Sequence, residues 1–361
     1  MRRSPGRSDR ETDAFRNLDG LPDFTRGQSQ GGAAMLMPGF IDQATTRATD
    51  PRRELTESLG APMPFIAPKL FYDRLGSALF TAICELPEYY PTRTEAAIFD
   101  ANADEIAAAV GAGSTLIDLG AGDCAKAARL FASLAPAQYV AVDISVEFVR
   151  DALGRLQPRF PSLPMLGIGA DFSQRLELPG AVRGERRVFF YPGSSIGNFA
   201  PAQAREFLRG LRGQVDLAGG LLLGVDLVKS KDIVEPAYDD ALGVTAAFNL
   251  NVLTHVNRLI GSDFVLADWR HVALLNDAES RIEMHLEARR DLRVRWPGGE
   301  RRFRAGDRIH TENSYKYRRT DLEQMFRDAG FLPDRCWTDD RGWFALFFAR
   351  PDPQHDDRNP N

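Results

Sequence analysis

The sequence contains little cysteine and little histidine, and neither residue type is arranged as a ligand set. Its 361 residues include three cysteines and five histidines. Cys84, Cys124 and Cys336 lie far apart without a Cys-x-x-Cys motif, and no two histidines have the spacing His-x-x-x-His. This pattern excludes a disulfide framework and a zinc site, and we expect a protein of the reducing cytoplasm.

Long apolar runs and a strong net charge are also missing. No segment approaches the length of a membrane-spanning helix, and the arginine-rich start lacks the apolar core of a secretory signal. The formal net charge is only −5, and acidic residues surround arginine clusters such as the one at 301–304. We therefore expect neither a membrane nor a nucleic acid among the partners.

A third absence concerns one glycine. The segment Asp118-Leu-Gly120-Ala-Gly122 follows an apolar run and precedes a helical pattern, which predicts a strand, a tight turn and a helix. Position 125, where a dinucleotide fingerprint carries its third glycine, is Ala125. The turn therefore favours a nucleoside without a pyrophosphate, such as S-adenosylmethionine, over NAD. Asp143 ends the next apolar run, where an acid can hold two ribose hydroxyls.

Strand-like and helix-like segments alternate through the middle of the chain. Strand candidates occupy 115–119, 139–143, 164–170, 187–191 and 220–227, with amphipathic helices between them. The alternation predicts a doubly wound α/β fold with a mostly parallel sheet. A helical segment at 246–259 and several strand-like runs interrupt the series, which a helix at 320–329 and a strand at 343–348 then complete.

These segments predict four parts of the chain. Residues 94–229 plus 316–350 should form the core, and residues 51–93 plus 230–315 an inserted α+β subdomain over the carboxyl edge of the sheet. Residues 1–50 and 351–361 are predominantly polar, which predicts a disordered N-terminal tail and a loose C-terminal tail. Thr92 and Glu95 have the spacing of a capping box, which predicts the start of a helix that continues through Ala109.

Two polar segments follow strand candidates and are candidates for ligand binding. Asp171-Phe172 suits the amino group and ring of an adenine, although a helix cap beside a core phenylalanine explains it equally well. The segment from Tyr191 to Asn198, which includes Gly193, offers backbone N–H groups and an amide to a carboxylate or an amine.

Polar residues in the second half of the chain form a further candidate site. Glu312 and Ser314 lie two residues apart in an extended segment, so their side chains point to the same side. The pair can accept the N–H of an imidazole and donate to its other nitrogen, while an exposed turn is the competing interpretation. The segment from Tyr238 to 251 mixes phenol, hydroxyl and amide groups; within it, Asp239 and Asp240 are interpreted as helix caps.

Together these segments resemble the L-histidine Nα-methyltransferase family, the enzymes that form hercynine on the way to ergothioneine. The resemblance covers roughly 55–350. It depends on ordered motifs, which are Tyr72-Asp-x-x-Gly-Ser-x-Leu-Phe80, Glu88-Tyr-Tyr-Pro-Thr-Arg-Thr-Glu95, Gly193-Ser-Ser-Ile-Gly-Asn198, Asp226-Leu-Val-Lys229, Tyr238-Asp-Asp240, Arg281-Ile-Glu-Met284 and Glu312-x-Ser314. It implies a Rossmann-like S-adenosylmethionine-dependent methyltransferase that acts on the small molecule L-histidine, and we expect a monomer without a metal.

The resemblance also implies roles for individual residues. The implied cofactor-binding residues are Tyr72, Gly120, Gly122, Lys126, Asp143, Asp171 and Phe172. The implied substrate-binding residues are Tyr89, Gly193, Asn198, Tyr238, Thr245, Phe248, Met284, Glu312 and Ser314, although for Met284 the pattern alone indicates core packing. The implied catalytic residues are Tyr72, which would lie beside the reacting amine, and Asn198, which would bind the substrate carboxylate. One departure is Asp123-Cys124, which stands where the family usually has small hydroxyl residues.

Three other functions compete with this interpretation. The first is a related N-methyltransferase for the α-amine of another amino acid, such as tryptophan, whose pocket should lack the pair Glu312 and Ser314. The second is an NAD-dependent oxidoreductase, which Ala125 disfavours. The third is a ligand-binding protein without activity, which only a test of turnover would distinguish.

Overall fold

The centre of the protein is an eight-stranded, mostly parallel sheet. A computed structural model describes residues 35–43, 50–173 and 176–355. The sheet consists of β1 (Gly39–Asp42), β2 (Thr115–Leu119), β3 (Gln138–Asp143), β4 (Met165–Gly169), β5 (Arg187–Tyr191), β6 (Gly220–Asp226), β12 (Phe331–Thr338) and β13 (Phe344–Pro351). Their spatial order is β1-β4-β3-β2-β5-β6-β13-β12, and β13 is antiparallel to both of its neighbours. The order therefore reverses between β2 and β5, which is where ligands bind in open α/β sheets.

Helices cover both faces of this sheet. The helices α3 (Tyr90–Val110), α4 (Ala125–Leu134) and α5 (Val146–Leu156) pack on one face, and α6 (Pro201–Arg212) and α9 (Arg319–Asp328) pack on the other. Each buried strand serves both layers because successive side chains alternate. In β3, for example, Tyr139 and Ala141 contact the first layer, while Val140 and Val142 contact the second.

A second hydrophobic core belongs to the inserted segments. It unites α1 (Pro51–Gly60) and α2 (Arg74–Cys84) with α8 (Val244–Ile260) and an antiparallel sheet ordered β11-β8-β7. Those strands are β7 (Trp269–Asn276), β8 (Arg281–Ala288) and β11 (Arg308–Tyr315). The hairpin of β9 (Leu292–Trp296) and β10 (Gly299–Phe303) lies beside them. The single helical turn α7 (Lys231–Val234) precedes α8. The buried residues of this core lie within 55–90 and 234–309.

The strand β11 is attached at both ends. Near its start, His310 pairs with Phe65, and just beyond its end Tyr317 pairs with Leu227, which follows the central strand β6. The N–H of Tyr317 donates to the backbone oxygen of Asp226 at 3.0 Å. The inserted sheet is therefore hydrogen-bonded to the carboxyl edge of the central sheet.

Two predictions about the ends of the chain need correction. The predicted tail through residue 50 is wrong for Gly39–Asp42, which forms the edge strand β1 and pairs in parallel with β4. The last strand ends at Pro351, one residue beyond the predicted core. The tail predictions for 1–34 and 356–361 lie outside the described residues. In the described part of the chain, no helix combines the length and the apolar character needed to cross a bilayer.

Candidate active site

The carboxyl ends of the parallel strands bring the predicted polar segments together. Gly120 follows β2, Asp143 ends β3, and Asp171 lies two residues after β4. Gly193 follows β5 at the reversal of strand order. Because these strands run in the same direction, residues that are far apart in sequence line one cleft.

The turn after β2 has the conformation that its glycines predict. Gly120 and Gly122 have φ angles of +71° and +53°, a region that glycine enters without steric cost. The N–H of Gly122 donates to Asp143 Oδ2 at 3.0 Å, and the N–H of Ser145 donates to Asp143 Oδ1 at 2.8 Å. The carboxylate is therefore held in place by the backbone, and each oxygen keeps lone-pair capacity for a ligand hydroxyl.

A large cleft extends from this turn. Every residue that the resemblance implied for the cofactor lines it: Tyr72, Gly120, Gly122, Lys126, Asp143, Asp171 and Phe172. A Cβ atom added to Gly120 would lie 3.7 Å from the ring of Phe172, so the glycine leaves room beside that ring. Asp118, which also lines the cleft, has a buried Oδ1 without a hydrogen-bond partner. An open cradle with a free acceptor fits a nucleoside that carries an amino group.

The Asp171 carboxylate is held by a contact that the sequence did not predict. Lys69 Nζ lies 3.2 Å from Asp171 Oδ2 and 2.9 Å from Glu54 Oε2. Asp171 Oδ1 accepts the N–H of Ser173 at 3.1 Å, which closes a local turn. Among the described residues no helix begins between β4 and β5, so the alternative interpretation of Asp171 as a helix cap is wrong. Glu54 and Lys69 belong to the inserted segments, so this ion pair connects them to the core beside the predicted adenine position.

A smaller pocket adjoins the cleft. It is lined by every residue that the resemblance implied for the substrate, namely Tyr89, Gly193, Asn198, Tyr238, Thr245, Phe248, Met284, Glu312 and Ser314, and also by Tyr72. Residues that line both spaces include Tyr72, Tyr89, Gly193 and Asn198. A group bound in the pocket can therefore meet a group bound in the cleft at this junction.

Glu312 and Ser314 occupy alternate positions of β11 and face the pocket together, as their spacing predicted. Burial raises the pKa of Glu312 to about 7, while the charge of Lys316 and a hydrogen bond from Asn198 oppose this rise. Ser314 Oγ lies 2.7 Å from the hydroxyl of Tyr238. The competing interpretation of this segment as an exposed turn is therefore wrong.

The loop that carries Asn198 approaches β11 closely because it contains Gly197. A Cβ atom at Gly197 would lie 2.8 Å from the backbone oxygen of Tyr315, which is closer than real Cβ contacts. Replacing this glycine would push the loop away from β11. The small residues of the segment at 191–198 thus position the Asn198 amide against Glu312.

A buried charge network lies beneath the pocket, and sequence reasoning assigned it no role. Asp226, which is fully buried, forms ion pairs with Lys316 at 2.9 Å and with Lys229. Tyr90 donates its hydroxyl hydrogen to Asp226 at 2.6 Å. Burial raises the pKa of Asp226, but the two lysines outweigh it, so the pKa lies below its usual range. The sequence signal that could have indicated this network is the presence of one acid, Asp226, and two lysines, Lys229 and Lys316, in apolar surroundings.

The prediction that Glu95 belongs to a capping box needs correction. The predicted capping box is wrong because α3 already begins at Tyr90, so Thr92 lies inside the helix and no side chain caps its start. The buried carboxylate of Glu95 instead accepts Lys126 Nζ at 2.6 Å and the N–H of Gly193 at 2.7 Å. The Glu95 carboxylate therefore holds Lys126, which lines the cleft, and Gly193, which lines both the cleft and the pocket.

Five aromatic rings surround the pocket: Tyr72, Phe80, Tyr89, Tyr238 and Phe248. Neighbouring rings lie 5.7 to 6.2 Å apart between centroids, and most pairs meet edge to face. Burial raises the pKa of Tyr72 and Tyr89 well above the usual range of a phenol. Both phenols are therefore neutral at physiological pH and present an apolar, electron-rich lining.

Of the two predicted helix caps, Asp240 is confirmed at the start of α8, whereas the Asp239 carboxylate instead lies 4.0 Å from His271 Nε2. Asp240 accepts the backbone N–H of Val244 at 2.9 Å and that of Thr245 at 2.7 Å. These bonds hold the pKa of Asp240 below its usual range against the effect of burial. They orient the first turn of α8, from which Thr245 and Phe248 line the pocket.

The strand order, the antiparallel β13 and the glycine turn with Asp143 define a Rossmann-like S-adenosylmethionine-dependent methyltransferase. This confirms the predicted fold class. The chain belongs to the family of histidine-specific, S-adenosylmethionine-dependent methyltransferases, whose sequence profile matches residues 51–351. The predicted family is thereby confirmed.

Two relatives in sequence agree with this membership. The histidine N-alpha-methyltransferase of Mycolicibacterium smegmatis is 40% identical over 305 residues, which cover 82% of this chain and 94% of that protein. Ergothioneine biosynthesis protein 1 of Neurospora crassa is 32% identical over 282 residues, or 74% of this chain and 31% of that protein. An S-adenosylmethionine-dependent methyltransferase from Clostridium acetobutylicum has 12% identity and a TM-score of 0.41, covering 70% of this chain and 89% of that chain.

Proposed function

We propose that this protein transfers methyl groups from S-adenosylmethionine to the α-amine of L-histidine, three times in succession, and so forms hercynine for ergothioneine synthesis. The observation that carries the proposal is the pair Glu312 and Ser314, which faces a pocket continuous with the cleft at the glycine turn. The family membership and the relatives named above support the same activity.

In this proposal the cleft holds the cofactor through the residues at the strand ends. Asp143 accepts the ribose hydroxyls, Asp171 and Phe172 hold the adenine, and Lys126 faces the carboxylate of the methionine part. The free Oδ1 of Asp118 is available to an amino group. When bound, S-adenosylmethionine supplies a methyl group on a positively charged sulfur.

The pocket then holds histidine at three points. Glu312 accepts the ring N–H, and Ser314 donates to the other ring nitrogen. Asn198 and Tyr238 bind the substrate carboxylate, and the carbonyl of Gly193 orients the amine because its N–H is already bound to Glu95. The contacts of Asn198 with Glu312 and of Tyr238 with Ser314 are the ones that the substrate would replace.

The reaction requires correct positioning of the amine and exclusion of water rather than a strong base. Each transfer would break the sulfur–methyl bond of the donor, form a nitrogen–carbon bond and release a neutral thioether, so that the positive charge passes from sulfur to nitrogen. The amine must therefore be neutral before each of the three steps. Tyr72 is unsuited as a base because its pKa lies far above neutrality and the phenol has no negative charge to accept a proton. We propose that water carries the protons away past Tyr72, which orients the amine at the junction.

The aromatic lining suits the product. After the third transfer the nitrogen carries a permanent charge that no proton loss can remove. Ring faces such as Tyr72 attract a quaternary ammonium group without hydrogen bonds. A pocket lined by carboxylates at this point would hold the product more tightly and release it more slowly.

The experiment that tests the activity is an incubation of the protein with S-adenosylmethionine and each common amino acid, followed by mass measurement of the products. We expect a mass increase of three methylene units for histidine alone. Methylation of tryptophan in place of histidine would contradict the proposed substrate, and the absence of any product would contradict the proposed activity. We also expect a cytoplasmic monomer, which cell fractionation and sedimentation would test.

A further inference from the structure

Lys316 lies directly behind the two hydroxyls that face the proposed ring and carboxylate positions. Its ammonium group is 2.8 Å from Ser314 Oγ, 2.9 Å from the Tyr238 hydroxyl and 2.9 Å from Asp226 Oδ2. An ammonium group has three hydrogens and no lone pair. All three hydrogens therefore have acceptors. The side chain is 2% exposed, so its ammonium group has no hydrogen left to donate to another group in this arrangement.

These contacts determine what the hydroxyls can do. Each hydroxyl oxygen already accepts a hydrogen from Lys316, so its own hydrogen is free to point elsewhere. Between themselves Ser314 and Tyr238 can use only one hydrogen, because one donates and the other accepts. A hydroxyl that accepts from a cation is also a better donor. Because Lys316 occupies one lone pair of each oxygen, both groups are better prepared to donate to a substrate than to accept from it.

A purely structural role for Lys316 is a weaker explanation. Without Lys316, Asp226 would still have Lys229 and the Tyr90 hydroxyl as partners. Lys229 also contacts the Tyr90 hydroxyl, at 3.0 Å, but its contacts do not include Ser314 or Tyr238. A second buried lysine costs desolvation energy, and Lys316 is the one whose hydrogens reach the pocket hydroxyls.

We propose that Lys316 is a positioning residue that turns the hydrogens of Ser314 and Tyr238 toward the substrate, so that the pocket selects the neutral imidazole ring with its hydrogen on the nitrogen facing Glu312. This inference deepens the proposed function and rests on the ring contacts assigned there. The pocket then offers one acceptor, Glu312, and one donor, Ser314, to the ring. An imidazolium ring carries a hydrogen on both nitrogens, and the second would face the hydroxyl hydrogen of Ser314.

The charge of Lys316 supports the same selection. It favours the ionised form of Glu312, against the burial that raises the pKa of this carboxyl. An ionised Glu312 is acceptor-only, while its protonated form could donate to a ring nitrogen and so admit the other tautomer. Lys316 therefore acts on both ring contacts through one ammonium group.

Nuclear magnetic resonance of ring-labelled ¹⁵N histidine tests the inference on the native protein. The complex would be saturated with S-adenosylhomocysteine, which has no methyl group to transfer, at about pH 6, where the free ring is mostly protonated. We expect one protonated and one unprotonated ring nitrogen in the bound state. A bound ring with two hydrogens would overturn the proposal, and this result requires no variant to fold.

Lys316→Met removes the three donors, and Lys229→Met is the matched control that removes a buried lysine from the same carboxylate. In Lys316→Met we expect histidine affinity to fall roughly tenfold to hundredfold and the bound ring to gain its second hydrogen. Lys229→Met should keep the ring singly protonated even if it loses stability. Wild-type affinity and ring protonation in Lys316→Met would refute the role of Lys316.

A third variant separates this inference from the binding mode on which it rests. If Glu312→Gln leaves histidine affinity unchanged, the proposed ring contacts are wrong. If Glu312→Gln weakens binding but the native complex contains a doubly protonated ring, only the role of Lys316 is wrong.

Discussion

Glu312→Gln should stabilise the ligand-free protein above neutral pH and weaken its binding of histidine. The carboxyl is only 8% exposed, and burial raises its pKa from 4.5 to about 7. A group whose folded pKa lies above its unfolded value contributes stability that is present below the unfolded pKa and is lost as the pH rises through the folded pKa. Ionised Glu312 therefore destabilises the fold above about pH 7, and a glutamine does not.

The magnitude follows from the same two values. The difference between 4.5 and about 7 corresponds to about 3 kcal/mol when the pH lies above both values. At about pH 5 most of this difference has not yet developed. The free energy of unfolding of Glu312→Gln, measured relative to the native chain, should thus rise by about 2 to 3 kcal/mol between about pH 5 and about pH 8.

Other titratable groups do not disturb this comparison. Those that face Glu312 within the described residues are Tyr72, Tyr89 and Lys316. Burial raises the pKa of both phenols, and Asp226 keeps the pKa of Lys316 above its ordinary value in spite of burial. None of the three changes charge between about pH 5 and about pH 8, so the difference between the two proteins reports on position 312.

The assay is urea unfolding of both proteins at several pH values, with calorimetric titration of histidine in the presence of S-adenosylhomocysteine. Histidine affinity should fall roughly tenfold to hundredfold, because a hydrogen bond to a charged acceptor is lost. Glu283→Gln is the matched control: hydrogen bonds from Asn276, Arg281 and His285 outweigh burial and hold the pKa of Glu283 at about 2. This variant should therefore be less stable than the native chain by a nearly constant amount between about pH 5 and about pH 8. A Glu312→Gln protein whose relative stability does not change with pH would refute the reasoning.

Three further substitutions test the remaining contacts. Asp143→Asn should weaken S-adenosylhomocysteine binding roughly tenfold to hundredfold in calorimetry, and unchanged binding would contradict the ribose assignment. Glu95→Gln should weaken the binding of cofactor and histidine together, each by roughly tenfold, because one carboxylate holds Lys126 and Gly193; an effect on one ligand alone would be evidence against this coupling. Asp226→Ala should lower the free energy of unfolding by about 3 to 5 kcal/mol, because it leaves two buried lysines without a counter-ion, and urea denaturation showing a loss below about 1 kcal/mol would argue against that.

The central sheet was predictable because its signals are local. The strands Thr115–Leu119 and Arg187–Tyr191 have the predicted bounds, since each contains a short apolar run and is followed by a glycine-containing turn. The edge strand β1 was missed because it has four residues and its partner, Leu166 and its neighbours, lies far away in sequence. Nothing in a segment this short distinguishes a strand from a tail.

In the candidate site, too, the features with local sequence signals were predictable and the contacts between distant segments were not. Glu312 and Ser314 were predictable as a pair because a strand repeats every two residues. Glu95 was misinterpreted because its spacing to Thr92 satisfies a local rule, while the groups that bind its carboxylate are 31 and 98 residues away. The contacts of Lys316 depend in the same way on three separate segments, and only the folded chain brings them together.

The attachment of β11 at both ends has a consequence for protein engineering. Its backbone cannot shift toward a larger or smaller amino acid without breaking the pairings at Phe65 and Leu227. New selectivity would therefore have to come from exchanged side chains at alternate positions along this strand, with the main chain left in place. Libraries confined to those positions, and to the pocket residues opposite them, should yield changed acceptors more often than libraries that vary loop length.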